Sequence, residues 1–176
     1  KTQLKKLIQA FILRRTKTQV LSELPSRTEI TLQVELSDEE RHLYEALRQE
    51  AIDKIEQSDT HNGKTMQILA ELTKLRRFCC HPQLVLKNAK TTSSKLTLFK
   101  QTIDELLDNR HKVLVFSQFV DHLHIVRDYL DAQGIAYQYL DGSTAMADRA
   151  KRVDAFQSGQ GDVFLISLKA GGTGLN

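Results

Sequence analysis

The chain has 176 residues, 40% of them hydrophobic and 27% charged, with a formal net charge of +3. That length suits one full core, or one α/β domain with a helical appendage, and no apolar run approaches the ~20 residues that cross a bilayer, so no membrane partner is expected. The net charge is too small to imply nucleic-acid binding by itself, and such a role must come from where the charges sit.

The amino-terminal stretch, KTQLKKLIQAFILRRTK, has basic residues on both sides of a short apolar part and no small-residue cleavage site. It does not read as a secretion signal, and the chain is expected to work inside the cell. Residues 28–36 then alternate strictly, with Thr28, Ile30, Leu32, Val34 and Leu36 on one face and Glu29, Thr31, Gln33 and Glu35 on the other. This pattern predicts a half-buried strand. Ser37 and Glu40 form a capping box, and Leu43, Tyr44, Leu47, Ala51 and Ile55 follow at helical spacing, which predicts a helix of about five turns.

Residues 57–64 are polar, hold Gly63 and break the pattern. A second helix carries Met66, Leu69, Leu72, Leu75 and Phe78 on its apolar face and stops at Pro82. The sequence HNGKT (61–65) ends like a phosphate-binding loop, but Ser58 stands where that motif needs its first glycine and a helix precedes it. It reads as a solvated loop. Cys79 and Cys80 are adjacent on the second helix, point in different directions and have no second pair, which fits two reduced, mostly packed thiols.

After a polar joint at 88–94, helices and strands alternate. Ser93 or Ser94 caps a helix bearing Leu96, Phe99, Ile103, Leu106 and Leu107, and 113–116 is a strand. Leu123, Val126, Tyr129 and Leu130 mark a helix that Gly134 closes at its C′ position. Residues 135–140 are a strand, 141–144 a polar loop, 145–156 a helix and 163–166 a buried strand. His122 and His124 are two apart on a helix and diverge, so they cannot share a metal. The order predicts an α/β fold with right-handed crossovers and a parallel sheet, whose ligands bind beyond the carboxyl ends of the strands. Those ends are Ser117 and Gln118, then residues 141–144, then the glycine-rich 167–176. In the last loop, glycines at 171, 172 and 174 allow positive φ and close approach of an anion, with the charge of Lys169 beside them.

Three such loops in this order resemble the second RecA-like lobe of superfamily-two helicase-type motors. Five matches narrow the resemblance to the SWI/SNF-type DNA translocases. FILRRTKTQVLSELPSRTE (11–29) resembles that family's interlobe link, and LRRFCCHP (75–82) its helical signature. KVLVFSQF (112–119) resembles motif IV, YLDGST (139–144) the loop that follows, and ISLKAGGTGLN (166–176) motif V. Ala145 departs from a frequent proline and Cys80 from a frequent asparagine. The organisation implied is an interlobe link over 1–27, a first strand and helical protrusion over 28–90, and the RecA-like second lobe, truncated after motif V, over 91–176.

The resemblance implies that the parent protein is an ATP-dependent double-stranded DNA translocase that remodels protein–DNA complexes. Its partners would be duplex DNA, a first helicase lobe and a DNA-bound protein. ATP and Mg2+ would be held mainly by that first lobe, and neither the Walker A motif nor the arginine finger lies in this chain, so the chain alone is expected to be inactive. The resemblance assigns DNA-backbone contacts to Ser117, Gln118, Gly142, Ser143, Thr144, Ser167 and Lys169. It places Gly172, Gly174 and Asn176 at the nucleotide-facing cleft between the lobes. Ser143 and Thr144 also suit an N-cap for the following helix, and the two roles are compatible. Arg76, Arg77 and Lys74 make a basic turn that reads either as a DNA contact or as a solvated face. A non-catalytic interaction module built on a RecA-like lobe is the alternative function. An RNA helicase is argued against by LRRFCCHP and FILRRTK.

Overall fold

Ser37 starts the first helix as its sequence requires: its side chain accepts from the Glu40 N–H, and the Glu40 carboxylate accepts from the Ser37 N–H at 3.0 Å. The computed structural model describes residues 11–12, 28–57 and 61–172. The chain divides into two units, residues 1–33 and 34–176. The second holds helix α1 (Asp38–Glu56), helix α2 (His61–Cys80), a 3-10 turn (Pro82–Leu84) and helix α3 (Ser94–Asp108). There follow strand β1 (Val113–Ser117), helix α4 (Val120–Ala132), strand β2 (Tyr137–Leu140), helix α5 (Met146–Gln157), strand β3 (Val163–Ser167) and the short helix α6 (Leu168–Gly171).

The sheet is parallel with order β1-β3-β2, so the last strand inserts between the first two. Central position explains why every residue of β3 is buried, and why that strand reads as a continuous apolar run. On one face Ile103 of α3 and Leu123, Val126 and Leu130 of α4 pack against Val163 and Leu165. On the other, Leu140, Phe164, Ile166 and Ala170 gather Val153 and Phe156 of α5. The second face is incomplete at β1, where Leu114 is 53% and Phe116 48% exposed.

Three helices of this lobe, α3, α4 and α5, end alike. Gly134 takes φ 67° after α4, with Gly134 N–H donating to Asp131 O and Ile135 N–H to Leu130 O. These are the two bonds of a Schellman cap, as the glycine predicts. Gly159 (φ 89°) ends α5 in the same way, through Phe156 O and Ala155 O. After α3 the left-handed position is filled by Arg110 at φ 59°, a conformation that a side chain makes costly.

Four expectations are corrected. Residues 28–36 form no strand, and Ile30 and Leu32 are 79% and 56% exposed. Alternation defines a buried face only when a neighbouring strand pairs with it, and among the described residues none does. The second helix begins at His61, so Gly63, Lys64 and Thr65 are helical and no loop or phosphate cradle forms there. Glycine lowered the expectation of a helix, but one glycine costs only about 1 kcal/mol against the rest of a 20-residue helix. Cys79 is exposed and Cys80 half-buried, both free, so only one of the two thiols is packed. Finally, α5 is capped by Ala145 with no side-chain hydrogen bond, because Ser143 and Thr144 are committed elsewhere.

Candidate nucleic-acid interface

Parallel pairing brings three loops to one edge of the sheet. Ser117 is in register with Ser167 and Leu140 with Ile166, so the chain leaves β1, β2 and β3 side by side. Adjacent strands of such a sheet lie about 4.8 Å apart, so the three exits lie within two strand spacings.

At the β1 exit, Ser117 is buried and its Oγ accepts from the Phe119 N–H at 3.2 Å while meeting His122 Nδ1 at 3.2 Å. Burial, with the positive charges of Lys95 and His81 nearby, pushes the His122 pKa down to about 4. The imidazole is therefore neutral at physiological pH. Gln118 is exposed, and its Oε1 accepts a hydrogen bond from the Arg76 guanidinium.

At the β2 exit the organiser is Asp141, a buried carboxylate that the site expectation did not include. Its Oδ1 accepts from the Ser143 N–H at 2.8 Å and the Ser143 hydroxyl at 2.6 Å, and its Oδ2 from the Tyr139 hydroxyl at 2.9 Å. Thr144 Oγ1 in turn accepts from the Asp141 N–H at 3.1 Å. Burial works to raise the Asp141 pKa, but the hydrogen bonds from Ser143, Tyr139 and Thr144 outweigh it and hold the carboxyl below its usual range. Tyr139, half-buried and donating to that carboxylate, is pushed up to about 12. The signal for this network was the Asp-Gly-Ser-Thr run itself, since aspartate before glycine favours a turn closed by its own side chain. Gly142 and Ser143 stand exposed at the tip, and Arg149 Nε donates to Thr144 O at 3.2 Å behind it.

At the β3 exit, Ser167 is buried and its Oγ accepts from the Ala170 N–H at 3.3 Å, so the hydroxyl caps α6. Lys169 is exposed on that helix. The glycine expectation is corrected here. Gly172 has φ −75°, and positive φ is confined to Gly134, Gly159 and Gly161 among the described glycines. Gly171 sits in a tight space instead: a Cβ there would stand 3.1 Å from Phe116 Cε1 and 3.2 Å from Ile166 Cγ2, so those side chains would have to give by a few tenths of an ångström. Gly174 and Asn176 lie outside the described residues, as does most of the link over 1–27.

Of the predicted site, then, Gln118, Gly142, Ser143, Lys169 and Gly172 are exposed on one edge, Thr144 is half-buried, and Ser117 and Ser167 lie beneath. The basic turn separates into its members. Lys74 pairs with Glu50 at 3.2 Å, and Arg77 pairs with Asp121 while donating to Leu84 O at 3.1 Å.

Known proteins resemble this chain over nearly its whole length. The model of the SNF2-related domain matches residues 1–84, and that of the helicase conserved C-terminal domain residues 94–176. A Mus musculus protein, chromodomain-helicase-DNA-binding protein 1-like, is 34% identical over 99% of this chain and 20% of its own length. An ATP-dependent helicase of Mycoplasma pneumoniae is 35% identical over 94% of this chain and 16% of its own. The chain thus spans a fifth or less of these relatives. The Sulfolobus solfataricus SWI2/SNF2 ATPase core domain superposes with a TM-score of 0.75 at 30% identity, covering 99% of this chain and 38% of that one. The same ATPase core in complex with double-stranded DNA gives 0.73 at 27% identity, over 94% and 36%.

Proposed function

Because the chain belongs to the SNF2-type family of superfamily-two helicase-like ATPases, with a RecA-like α/β lobe, we propose that its parent protein is an ATP-dependent double-stranded DNA translocase that remodels protein–DNA complexes with little strand separation. The observation that carries this reading is the alignment of three loops at the carboxyl edge of one parallel sheet. A translocase must hold the phosphate backbone without reading bases, and donors along one edge suit that task. Lys169 supplies charge, and the exposed Gly142 and Ser143 tip supplies backbone approach.

The hydroxyls take a second role. Ser143 already donates to Asp141, so the Asp141 network fixes the loop's shape, and its hydroxyl contacts a phosphate only by turning away from the carboxylate. Ser117 and Ser167 support the edge from below, and Gln118 and Thr144 complete it. Gly172, with Gly174 and Asn176, is assigned to the cleft facing a first lobe. Gly63, Lys64 and Thr65 are helical and form no phosphate cradle. ATP and its Mg2+ are assigned mainly to that first lobe. No described helix is long and apolar enough to cross a membrane.

The test is triplex displacement by the full-length protein. A duplex translocase strips a third strand from its track in an ATP-dependent manner while leaving the duplex paired. ATP turnover that duplex does not stimulate, with no third-strand release, would leave an interaction module as the better description.

A further inference from the structure

Arg76 and Arg77 are neighbours on α2, and both guanidiniums lie over the ring of Phe119, at 5.9 and 5.6 Å from its centroid. Their electrostatic fates differ. Arg77 is neutralised by the Asp121 carboxylate and turned inward toward Leu84 O, and it is half-buried. Arg76 is exposed, and its partner is Gln118, a neutral amide. Among the described residues no carboxylate pairs with it.

The surroundings keep that charge uncompensated. Arg76 lines a cleft of about 440 Å³ between α2 and the β1 exit, with Lys95 also in its lining and Leu72, Leu75 and Phe116 among its apolar walls. No aspartate or glutamate lines it. A guanidinium held by an amide and an aromatic face keeps its full charge, loses little freedom on binding, and still has N–H groups to give. This is the arrangement that suits a phosphate.

We infer that Arg76 is a further contact to the DNA backbone, and that Gln118 and Phe119 act on DNA by positioning it. The inference rests on the DNA-binding reading above and changes the part played there by Gln118. The amide oxygen is spent on Arg76, so Gln118 is a positioning residue for an arginine contributed by the helical protrusion. The backbone interface then extends beyond the three loops onto α2, and the helices are tied to the strand edge by a residue that both elements share.

The test is binding of duplexes of unrelated sequence by the full-length protein, titrated with salt, for the wild type, Arg76→Ala, Arg76→Lys, Gln118→Ala, the Arg76→Ala and Gln118→Ala double variant, Arg77→Ala and Lys169→Ala. Arg76→Ala is expected to weaken low-salt binding about tenfold and to reduce the salt slope by about one unit. Arg76→Lys should restore the slope but only part of the affinity. Gln118→Ala should weaken binding by itself and add nothing in the double variant, because its effect passes through Arg76. Arg77→Ala should lower the melting temperature and leave the slope alone. A normal slope in Arg76→Ala, or additive losses in the double variant, overturns the inference. If Lys169→Ala lowers the slope while Arg76→Ala does not, only this inference fails. If the wild type shows no salt-dependent duplex binding, the functional reading fails and takes the inference with it.

Discussion

In the α/β lobe Leu123, Leu130, Val163 and Leu165 have no exposed surface, whereas on α2 Met66, Leu69 and Leu72 remain 68%, 59% and 53% exposed. The lobe is assembled by apolar burial on both faces of β3. Polar links join the two-helix arm, α1 and α2, to it. Glu40 accepts from the backbone N–H of both Ser37 and Ser94 and from the Ser94 hydroxyl, so one buried carboxylate serves the N-termini of α1 and α3 together. Glu39 accepts from Thr91 at 2.7 Å, and Arg76 and Arg77 reach Gln118 and Asp121. Burial spreads stability over many residues, while a few hydrogen-bonded links concentrate it at nameable points. Structure in the arm should therefore be sensitive to single polar changes and indifferent to apolar ones at its tip.

The sharpest break of this comparison is Leu165→Ala, which opens a cavity at the centre of the sheet and should cost about 3 to 4 kcal/mol by denaturant unfolding. A cost under about 1 kcal/mol would mean that the lobe does not depend on this core. Next is Gly161→Ala. Its φ is 94° and a Cβ would lie 2.9 Å from Ala136 O, so backbone would meet backbone, with an expected loss of about 3 kcal/mol. In the arm, Glu40→Ala should cost about 2 kcal/mol and speed hydrogen exchange at the starts of both α1 and α3. Faster exchange at α1 alone would show that Glu40 caps only its own helix. Leu69→Ser, by contrast, should change stability by no more than about 0.5 kcal/mol.

Acid should sharpen the same contrast through two groups with one sign. Burial works to raise the Glu40 carboxyl, but its bonds from Ser94 and Ser37 outweigh it and hold the pKa below the ordinary 4.5, so its contribution is present above that value and lost as pH falls through the lower folded value. His122 is lowered from 6.5 to about 4, so below pH 6.5 the unfolded chain takes a proton that the folded one refuses. Stability should fall from pH 6.5 toward 4, and His122→Gln should flatten that part of the profile. An unchanged profile would place the loss elsewhere.

How much of this was legible follows the same division. The lobe's strands, its crossovers and the Gly134 cap could be read because periodicity and turn chemistry agree there with the tertiary fold. Alternation at 28–36 misled because pairing, which no local pattern encodes, decides whether a strand forms. The strand edge was identified from loop positions, but not the inward commitment of the Ser143 hydroxyl or the opposite fates of Arg76 and Arg77. Those depend on Asp141 and Asp121, whose directions only the fold sets. Gly171 was singled out for backbone freedom, and the fold shows instead that it sits close against Phe116 and Ile166.

The central claim, that the sheet's carboxyl edge holds the DNA backbone, is tested most directly by the salt dependence of duplex binding in the full-length protein with Lys169→Ala. Lys169 is exposed at that edge, and removing one phosphate contact should lower the slope of log affinity against log salt by about one unit, equally on duplexes of unrelated sequence. An unchanged slope, or a loss confined to one base sequence, would contradict it.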